Sequence, residues 1–498
     1  MSESENRTGQ GLEKLPTGIP GFEHIAGGGL PLGRTTLLSG SAGSAKTLMA
    51  AQFLAEGIQQ FGETGVFVTF EESAGDIRRN LASFGWDIEG WERDGHWVFV
   101  DASPDPEIDT VELGEYDLGG LMARVEYAVN RIGASRLSMD SLGAVFNQFS
   151  AYRTIRREMF RVTARLRRLE VTSLLTSERL EEYGAIGRYG VEEFVADNVI
   201  ILRNILEEEK RRRSIEILKF RGAGHQKGEY PFSIVPGEGL AFIPLSAMEL
   251  SQGSDSTRIT SGSEDLDEMC GGGFFRDSII LVSGATGTGK TLIATEFLAG
   301  GIEKGERCLL FAFEESRSQF TRNAHGWGID IEEMEREGKL RVVCDYPETA
   351  GLEDHLLEMR RIVDEFQPDR IALDSLSALE RIATPKSFRQ FVIGMTSHFK
   401  ERRIAGLFTA ATPTLFGGTS VTESHISTIT DSIILLRYVE TEGAMHRGLT
   451  VLKMRGSPHD KQVREFIINS DGMQIGAPFR DVVGIVSGSP QYFAGFEG

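Results

Sequence analysis

Three cysteines in 498 residues are too few for a disulfide scaffold. Cys270, Cys308 and Cys344 show no close pairing and no metal-ligand spacing, so they read as small buried hydrophobes in a reducing compartment. The chain also lacks any window of ~18 apolar residues, the length a membrane-crossing helix needs. Its first residues, "MSESENRTGQG", have no apolar core of the signal-peptide kind. These absences predict a cytoplasmic protein with no membrane partner. Positive charge is scarce as well: 53 Lys and Arg stand against 73 Asp and Glu, a net charge of −20. Such a molecule repels a phosphate backbone, which argues against general nucleic-acid binding. What remains is an ordinary globular mixture, 40% hydrophobic and 25% charged, on a chain too long for one core.

The organisation is legible because the chain repeats itself. "GSAGSAKT" from Gly40 returns as "GATGTGKT" from Gly284, with Lys46 and Lys290 separated by 244 positions. "VTFEES" returns as "FAFEES", Glu71 and Glu314 being 243 apart. "RLSMDSL" returns as "RIALDSL" and "LKFRGAGH" as "LKMRGSPH", each at an offset of 234. The offset falls by about ten between the second and third motifs, which predicts an insertion in the first half within "DASPDPEIDTVELGEYD". A tandem duplication joined near residues 235–256 accounts for the series, with domains at 1–245 and 246–498.

Within each half, short apolar runs alternate with amphipathic stretches, the pattern of an α/β domain with a mostly parallel sheet flanked by helices. "TTLLSG" and "IILVSG" read as buried strands ending at a glycine-rich turn. "KTLMAAQFLAEGI" and "KTLIATEFLAGGI" read as the helices that follow. "TGVFVTF" and "RCLLFAF" are second strands closing on Glu-Glu; "RLSMD" and "RIALD" are third strands closing on Asp. Acidic groups thus gather at the carboxyl ends of strands, where open α/β sheets bind ligands.

Gly284 to Thr291 fits G-x-x-x-x-G-K-[ST] completely. Glycines there let backbone N–H groups wrap phosphates, the lysine neutralises charge, and the threonine hydroxyl ligates Mg²⁺. Thr286, Gly287, Thr288, Gly289, Lys290, Thr291 and Leu292 are therefore expected to bind a nucleotide. In the first half Gly43, Ser44, Lys46, Thr47 and Leu48 are expected to do the same, but Ala45 stands where the pattern has glycine. A methyl there crowds the phosphates or strains the backbone if the residue needs positive φ. Glu71 and Glu72, and Glu314 and Glu315, are placed to take a proton from an attacking hydroxyl or to help hold Mg²⁺. Asp140 and Asp374 read as carboxylates acting on Mg²⁺, with Thr47, Thr291 and Glu314 as the other metal-site candidates. Lys219 with Arg221, and Lys453 with Arg455, alternate on late strands and share a face suited to an anion.

Taken with "RYGVEEFVADNVIILRN", "FRQFVIGMTSHF", "SHISTITDSIILLRY", "KMRGSPHDK" and a late "SGSP", these motifs resemble the KaiC family over nearly the whole chain. That family comprises double-domain RecA-like P-loop ATPases and autokinases of the bacterial circadian clock. The resemblance implies a two-tiered homohexamer with Mg²⁺ and ATP between subunits. The first ring would hydrolyse ATP; the second would phosphorylate Ser427 and Thr428 of a neighbouring subunit, with Thr422 nearby, and reverse the step. Glu71 and Glu72 would activate water, and Glu314 and Glu315 would be the kinase carboxylates, assisted by Arg381. Ser83 and Trp327 would contact adenine and ribose. Lys219, Phe220, Arg221 and His225 would reach the first-ring nucleotide from the next subunit, and Arg447, Lys453, Met454 and Arg455 the second-ring one.

The hydroxyl-dense "SHISTITD" would then be the enzyme's own phosphoryl acceptor. The matching strand entry of the first half, "YGVEEFVADNVIILRN", contains no Ser or Thr. After "SGSP" only "QYFAGFEG" follows, which argues against dependence on KaiA, whereas a KaiB-like partner stays open. Two other readings are kept. A RecA/RadA-like DNA-dependent ATPase would use the arginine-rich "YRTIRREMFRVTARLRRLE", residues 152–170, although the spacing of its apolar Ile155, Phe160, Val162 and Leu166 suits a helix whose surface is solvated or faces another subunit. A KaiC-type signalling ATPase outside the clock is the other.

Overall fold

The computed structural model describes residues 12–103, 118–146, 152–187, 195–207, 210–243, 255–412, 426–441, 443–480, 482–483 and 491–492. The chain divides into two compact units, Met1–Ala247 and Met248–Gly498. The expected join falls largely at 244–254 and the expected insertion largely at 104–117; both stretches, like Thr422, lie outside the described residues.

The first unit's main sheet contains nine described strands: β1 (Thr35–Gly40), β2 (Gly65–Thr69), β3 (Trp97–Asp101), β4 (Arg136–Asp140), β5 (Thr172–Glu178), β6 (Asn198–Glu207), β7 (Lys210–Phe220), β8 (Glu229–Val235) and β9 (Gly239–Phe242). Their order is β9-β8-β7-β6-β1-β5-β4-β2-β3. The run from β6 to β3 is parallel, and β7 to β9 return as an antiparallel meander. The second unit repeats this with β10 (Ile279–Gly284), β11 (Cys308–Ala312), β12 (Leu340–Cys344), β13 (Arg370–Asp374), β14 (Ala405–Ala411), β15 (Ser432–Thr441), β16 (Ala444–Met454), β17 (Arg464–Asn469) and β18 (Gly472–Pro478), ordered β12-β11-β13-β14-β10-β15-β16-β17-β18. The mostly parallel α/β fold expected from the sequence is what each unit has.

The central strands carry apolar residues on both faces because helices cover both. Leu37 and Leu38, adjacent on β1, are both fully buried. Helix α1 (Lys46–Phe61) packs Met49, Phe53 and Leu54 into one layer. On the opposite face, α2 (Leu118–Ile132) and α3 (Tyr152–Arg168) supply Val125, Val129, Ile155, Met159, Val162 and Leu166. Phe160, expected in that apolar set, stands 67% exposed, and Met159 takes the buried place. In the second unit α4 (Lys290–Glu303) contributes Ile293, Phe297 and Ile302, while α5 (Leu352–Phe366) and α6 (Pro385–Glu401) are helices of the same chain positions as α2 and α3.

Each unit is tied together by a buried arginine at the start of its Asp-ending strand. Arg136 bridges Glu63 and donates to the carbonyls of Pro16, Thr17 and Phe53, between 2.7 and 2.9 Å. Arg370 bridges Glu306 and donates to Thr260 and Phe297 carbonyls at 2.6 and 2.9 Å. Strand, helix and the repeated lead-in segment meet at each guanidinium. Cys270, Cys308 and Cys344 are in no disulfide, and burial pushes the Cys270 and Cys308 thiols up to about 12. Among the described residues no helix is long and apolar enough to cross a membrane.

Candidate active sites

Both phosphate loops leave the central strand of a sheet and enter a helix at a residue in the left-handed conformation. Gly289 has φ 104° and Ala45 has φ 71°. The first-half alanine therefore does occupy a position that favours glycine. Its methyl packs against the core beneath the loop. Lys46 Nζ donates to Ser41 O and Lys290 Nζ to Ala285 O, both at 2.9 Å, which holds each ammonium over its loop. Burial lowers the pKa of both lysines; Asp140, Glu178, Glu71 and Glu182 oppose this at Lys46, and Asp374 and Glu314 at Lys290. Ser44 and Thr288 turn their hydroxyls back to Ser41 O and Ala285 O, at 2.8 and 2.7 Å. Gly43, Thr286 and Gly287 are exposed at the loop crest, and Leu48 and Leu292 are buried below it.

The expected metal-site pairs come together. Thr47 Oγ1 donates to Asp140 Oδ2 at 2.6 Å and Thr291 Oγ1 to Asp374 Oδ2 at 2.7 Å. Each aspartate accepts a second hydroxyl, from Thr176 or Thr409 on the intervening strand. Burial raises the pKa of Asp374, while the Thr409 and Thr291 hydroxyls pull it down and Glu314 adds to the rise. The Glu-Glu pairs follow β2 and β11 beside these aspartates. Glu71 accepts from Ser141 Oγ at 2.9 Å, but Glu314 pairs with Arg381 at 3.1 Å. Glu72 accepts from Asn80 at 2.9 Å and Glu315 from Asn323 at 3.1 Å. Burial and then Asp374 raise the Glu315 pKa, while the Asn323 side chain opposes the rise.

The two Lys/Arg pairs lie at the opposite ends of the strands. Lys453 Nζ donates to Thr430 O at 2.6 Å and Arg455 to Thr428 O at 2.8 Å. In the first half Lys219 Nζ donates to Ala196 O at 3.0 Å, and Arg221 stands 3.8 Å from Asp197. Both basic pairs thus gather around the entry to β6 or β15. Thr428 is exposed in the short turn Ile426–Thr428; the Ser427 side chain lies outside what is described. Phe220 and Met454 are buried, and His225 packs edge-on against Phe220, where burial lowers its pKa. Ser83 is exposed, and Trp327 caps the helix Arg317–Gly326 half-buried.

With this geometry in place, the comparisons are decisive. The family description "ATPase: KaiC" matches residues 15–247 and again 259–479. The chain belongs to the KaiC family. It is 64% identical to "Circadian clock protein KaiC3" of a Synechocystis species, over 97% of this chain and 96% of that one. It is 56% identical to "Circadian clock oscillator protein KaiC" of Rippkaea orientalis, over 98% of this chain and 94% of that one. A third relative of the same name, from Parathermosynechococcus lividus, is also 56% identical, over 97% and 88%. Both halves therefore carry a KaiC-type ATPase domain, and ATP is the nucleotide that domain uses.

Several site residues escaped the sequence reading. Arg213 reaches Gly43 O at 3.3 Å, just as its counterpart Arg447, which the sequence did mark, reaches Gly287 O of its own half at the same distance. Their spacing of 234 was the signal that marks Arg213. Thr176, Thr409 and Ser141 had no local mark, being hydroxyls within or just after apolar strands. In α3, Arg157 and Arg161 pair with Glu158, Arg165 with Glu126 and Arg167 with Asp197. Four of the helix's arginines are thus engaged with carboxylates, of which only Glu158 is on the helix itself.

Proposed function

We propose that this KaiC-family protein is a Mg²⁺-dependent ATPase that also phosphorylates and dephosphorylates itself on Ser427 and Thr428, within a cytoplasmic homohexameric double ring serving a circadian clock. The first domain, residues 1–245, is the hydrolase, and the second, residues 246–498, adds the kinase.

One observation carries this reading. Thr428 lies just before Asp431, whose backbone N–H bonds Ile279 O at 2.8 Å, at the amino end of β10. The phosphate loop of the same half leaves the carboxyl end of β10, after Gly284. At ~3.3 Å per residue the strand separates them by about 16 Å. A hydroxyl so placed is out of reach of its own triphosphate, but it stands with Lys453 and Arg455 on a surface where an adjacent copy's nucleotide would sit. The same basic pair in the first half, Lys219 and Arg221, has no neighbouring hydroxyl acceptor at Ala196–Asp197, in keeping with hydrolysis there.

The donor set fits Mg²⁺, a hard cation held by one or two oxygens plus phosphates and water: Thr47 with Asp140, and Thr291 with Asp374, offer oxygen alone. When bound, the ion would neutralise charge developing on the transferred phosphoryl group. Glu71 and Glu72 would accept the proton of attacking water; Glu314 and Glu315, that of the acceptor hydroxyl. A KaiB-like protein is the partner class that fits the family.

The test is incubation of purified protein with Mg²⁺ and γ-labelled ATP, followed by site mapping and sizing of the assembly. Label on Ser427 and Thr428 of a six-fold assembly is expected, and Ser427→Ala with Thr428→Ala should abolish it while phosphate release continues. Label persisting in that double variant overturns the acceptor assignment. Hydrolysis that instead depends on single-stranded DNA would favour a DNA motor.

A further inference from the structure

The first phosphate site holds a strand-end carboxylate that the motifs above do not include. Glu178 closes β5, the strand lying between β1 and β4. Its register is fixed: Gly40, the first residue of the phosphate loop, is paired with Glu178, and Arg179 N–H bonds Gly40 O at 3.0 Å. Thr176, two residues earlier, turns its hydroxyl to Asp140. Alternation along a strand puts Glu178 on that same face, one step nearer the phosphates. Among the carboxylates acting on the Lys46 ammonium, Glu178 ranks after Asp140 and ahead of Glu71.

The end of β5 is held firmly. Arg179, 6% exposed, donates to Ala185 O and Gly184 O at 3.1 Å, and Ser39 Oγ bonds Ile186 O. Glu182 then clamps the segment to the phosphate loop, taking the Ser41 hydroxyl and the Asn204 N–H, the latter at 3.2 Å. In the second half the same register pairs Gly284 with Ala411, and Thr412 N–H bonds Gly284 O at 3.1 Å. Thr409 still holds Asp374, but a methyl stands where Glu178 stands, and among the described residues Lys290 is drawn on by Asp374 and Glu314.

We propose that Glu178 is a further catalytic carboxylate of the first ATPase site, ordering the attacking water opposite Glu71, and that Ala411 leaves the second site without it. In hydrolysis the water oxygen bonds the γ-phosphorus, the bond from that phosphorus to the β–γ bridging oxygen breaks, and its electron pair leaves with ADP. Glu71 or Glu72 takes the water's proton. Glu178 accepts a hydrogen bond from the water's other hydrogen and takes no proton in the step. A second carboxylate aligns the water for in-line attack and disfavours any bulkier acceptor. A methyl at Ala411 leaves space for a side-chain hydroxyl instead.

The test uses the full chain carrying Lys290→Ala, so that turnover reports the first half. Adding Glu178→Gln should lower kcat on the order of ten-fold or more with KM within about two-fold, because the lost interaction is made with water and not with ATP. Turnover within about two-fold of the Lys290→Ala chain would overturn the proposal. Thermal unfolding of both chains separates this from misfolding. The reciprocal variant, Ala411→Glu in a chain carrying Lys46→Ala, should raise phosphate release from the second half several-fold; no rise would also count against the proposal.

Discussion

Glu296 stands in the second half where Gln52 stands in the first, each on the helix after the phosphate loop and each facing the last strand of its sheet. Gln52 is satisfied on both sides: its Oε1 accepts Leu240 N–H at 2.7 Å and its Nε2 donates to Glu238 O at 3.1 Å. Glu296 Oε1 accepts Met473 N–H at 2.6 Å, but its Oε2 is buried with no hydrogen-bond partner among the described residues. A carboxyl can copy the amide only when protonated, with O–H donating where Gln52 has N–H.

Burial pushes the Glu296 carboxyl up to about 7, and the Met473 N–H offsets only part of that rise. The acidic groups on the elements around it are otherwise engaged: Asp265 takes Ile475 N–H at 3.3 Å, and Asp267 takes Ser261 N–H at 2.6 Å. The folded chain therefore holds this proton more tightly than the unfolded one. Stability is fully present below the unfolded carboxylate range and falls as pH rises from about 4.5 to about 7, by roughly 3 kcal/mol at most. Glu296→Gln should remove that dependence and raise the unfolding midpoint at pH 8, leaving pH 5 nearly unchanged. Denaturant titrations of both chains across that range check it, and equal midpoints at pH 8 would count against it.

Ala45 and Gly289 hold the same left-handed position with opposite consequences for exchange. At φ 71° an alanine is strained, so Ala45→Gly should stabilise the first unit by roughly 0.5–1 kcal/mol after allowing for the freer unfolded chain. A methyl on Gly289 would come within 2.9 Å of Ile468 Cδ1 and 3.3 Å of Phe466 Cε2, both on β17. Gly289→Ala should then destabilise the second unit by about 1–3 kcal/mol. Calorimetric scans resolving the two units test both signs together.

The duplicated strand–loop–helix units, the two Asp-ending strands and the mostly parallel sheets were legible because each is a local pattern stated twice. "RLSMD" and "RIALD" matched β4 and β13 residue for residue. What the sequence left open was azimuth: the helix itself was legible, but only packing shows that 155, 159, 162 and 166 make the buried stripe and that Phe160 lies one step round the helix from Met159. What stayed hidden was register. Nothing near Thr176, Glu178 or Thr409 in sequence says that β5 and β14 slot between the phosphate-loop strand and the aspartate strand. Only that pairing turns a strand threonine into a holder of Asp140 or Asp374. Glu296 was invisible for a similar reason, because a glutamate in a helix reads as surface until the last strand is laid over it.

Arg136 and Arg370 bury a guanidinium against one carboxylate and several carbonyls, so loss of one member leaves the others desolvated and unpaired. Arg370→Ala should destabilise the second unit by about 3–5 kcal/mol, because the Thr260 and Phe297 carbonyls lose their buried donor and Glu306 keeps only Arg276 as a partner. Arg370→Met, which keeps much of the volume, should cost no more than the alanine change, and Glu306→Gln added to it should recover part of the loss. Urea midpoints for the three chains decide this; an alanine variant as stable as the parent would refute it.

The two glutamates proposed as catalytic, Glu71 and Glu314, are held by different partners, and this bears on how the halves would divide their work. Glu71 takes the Ser141 hydroxyl, whereas Glu314 is drawn to Arg381, and the matching Ser375 hydroxyl is buried without a hydrogen-bond partner among the described residues. The Arg381–Glu314 pair has side chains 59% and 38% exposed, so its worth to stability is within about 0.5 kcal/mol. Its consequence is orientation. Arg381→Ala should release Glu314 toward Ser375 and give the second site the hydrogen-bond pattern of the first. Transfer of label to Ser427 and Thr428 should fall several-fold, while phosphate release from the second half holds or rises and the unfolding midpoint stays put. Adding Ser375→Ala should remove the alternative partner and lower phosphate release again. Unaltered label transfer in Arg381→Ala would mean that the arginine does not orient the kinase carboxylate, and that the difference between Glu71 and Glu314 lies in what approaches them rather than in what holds them.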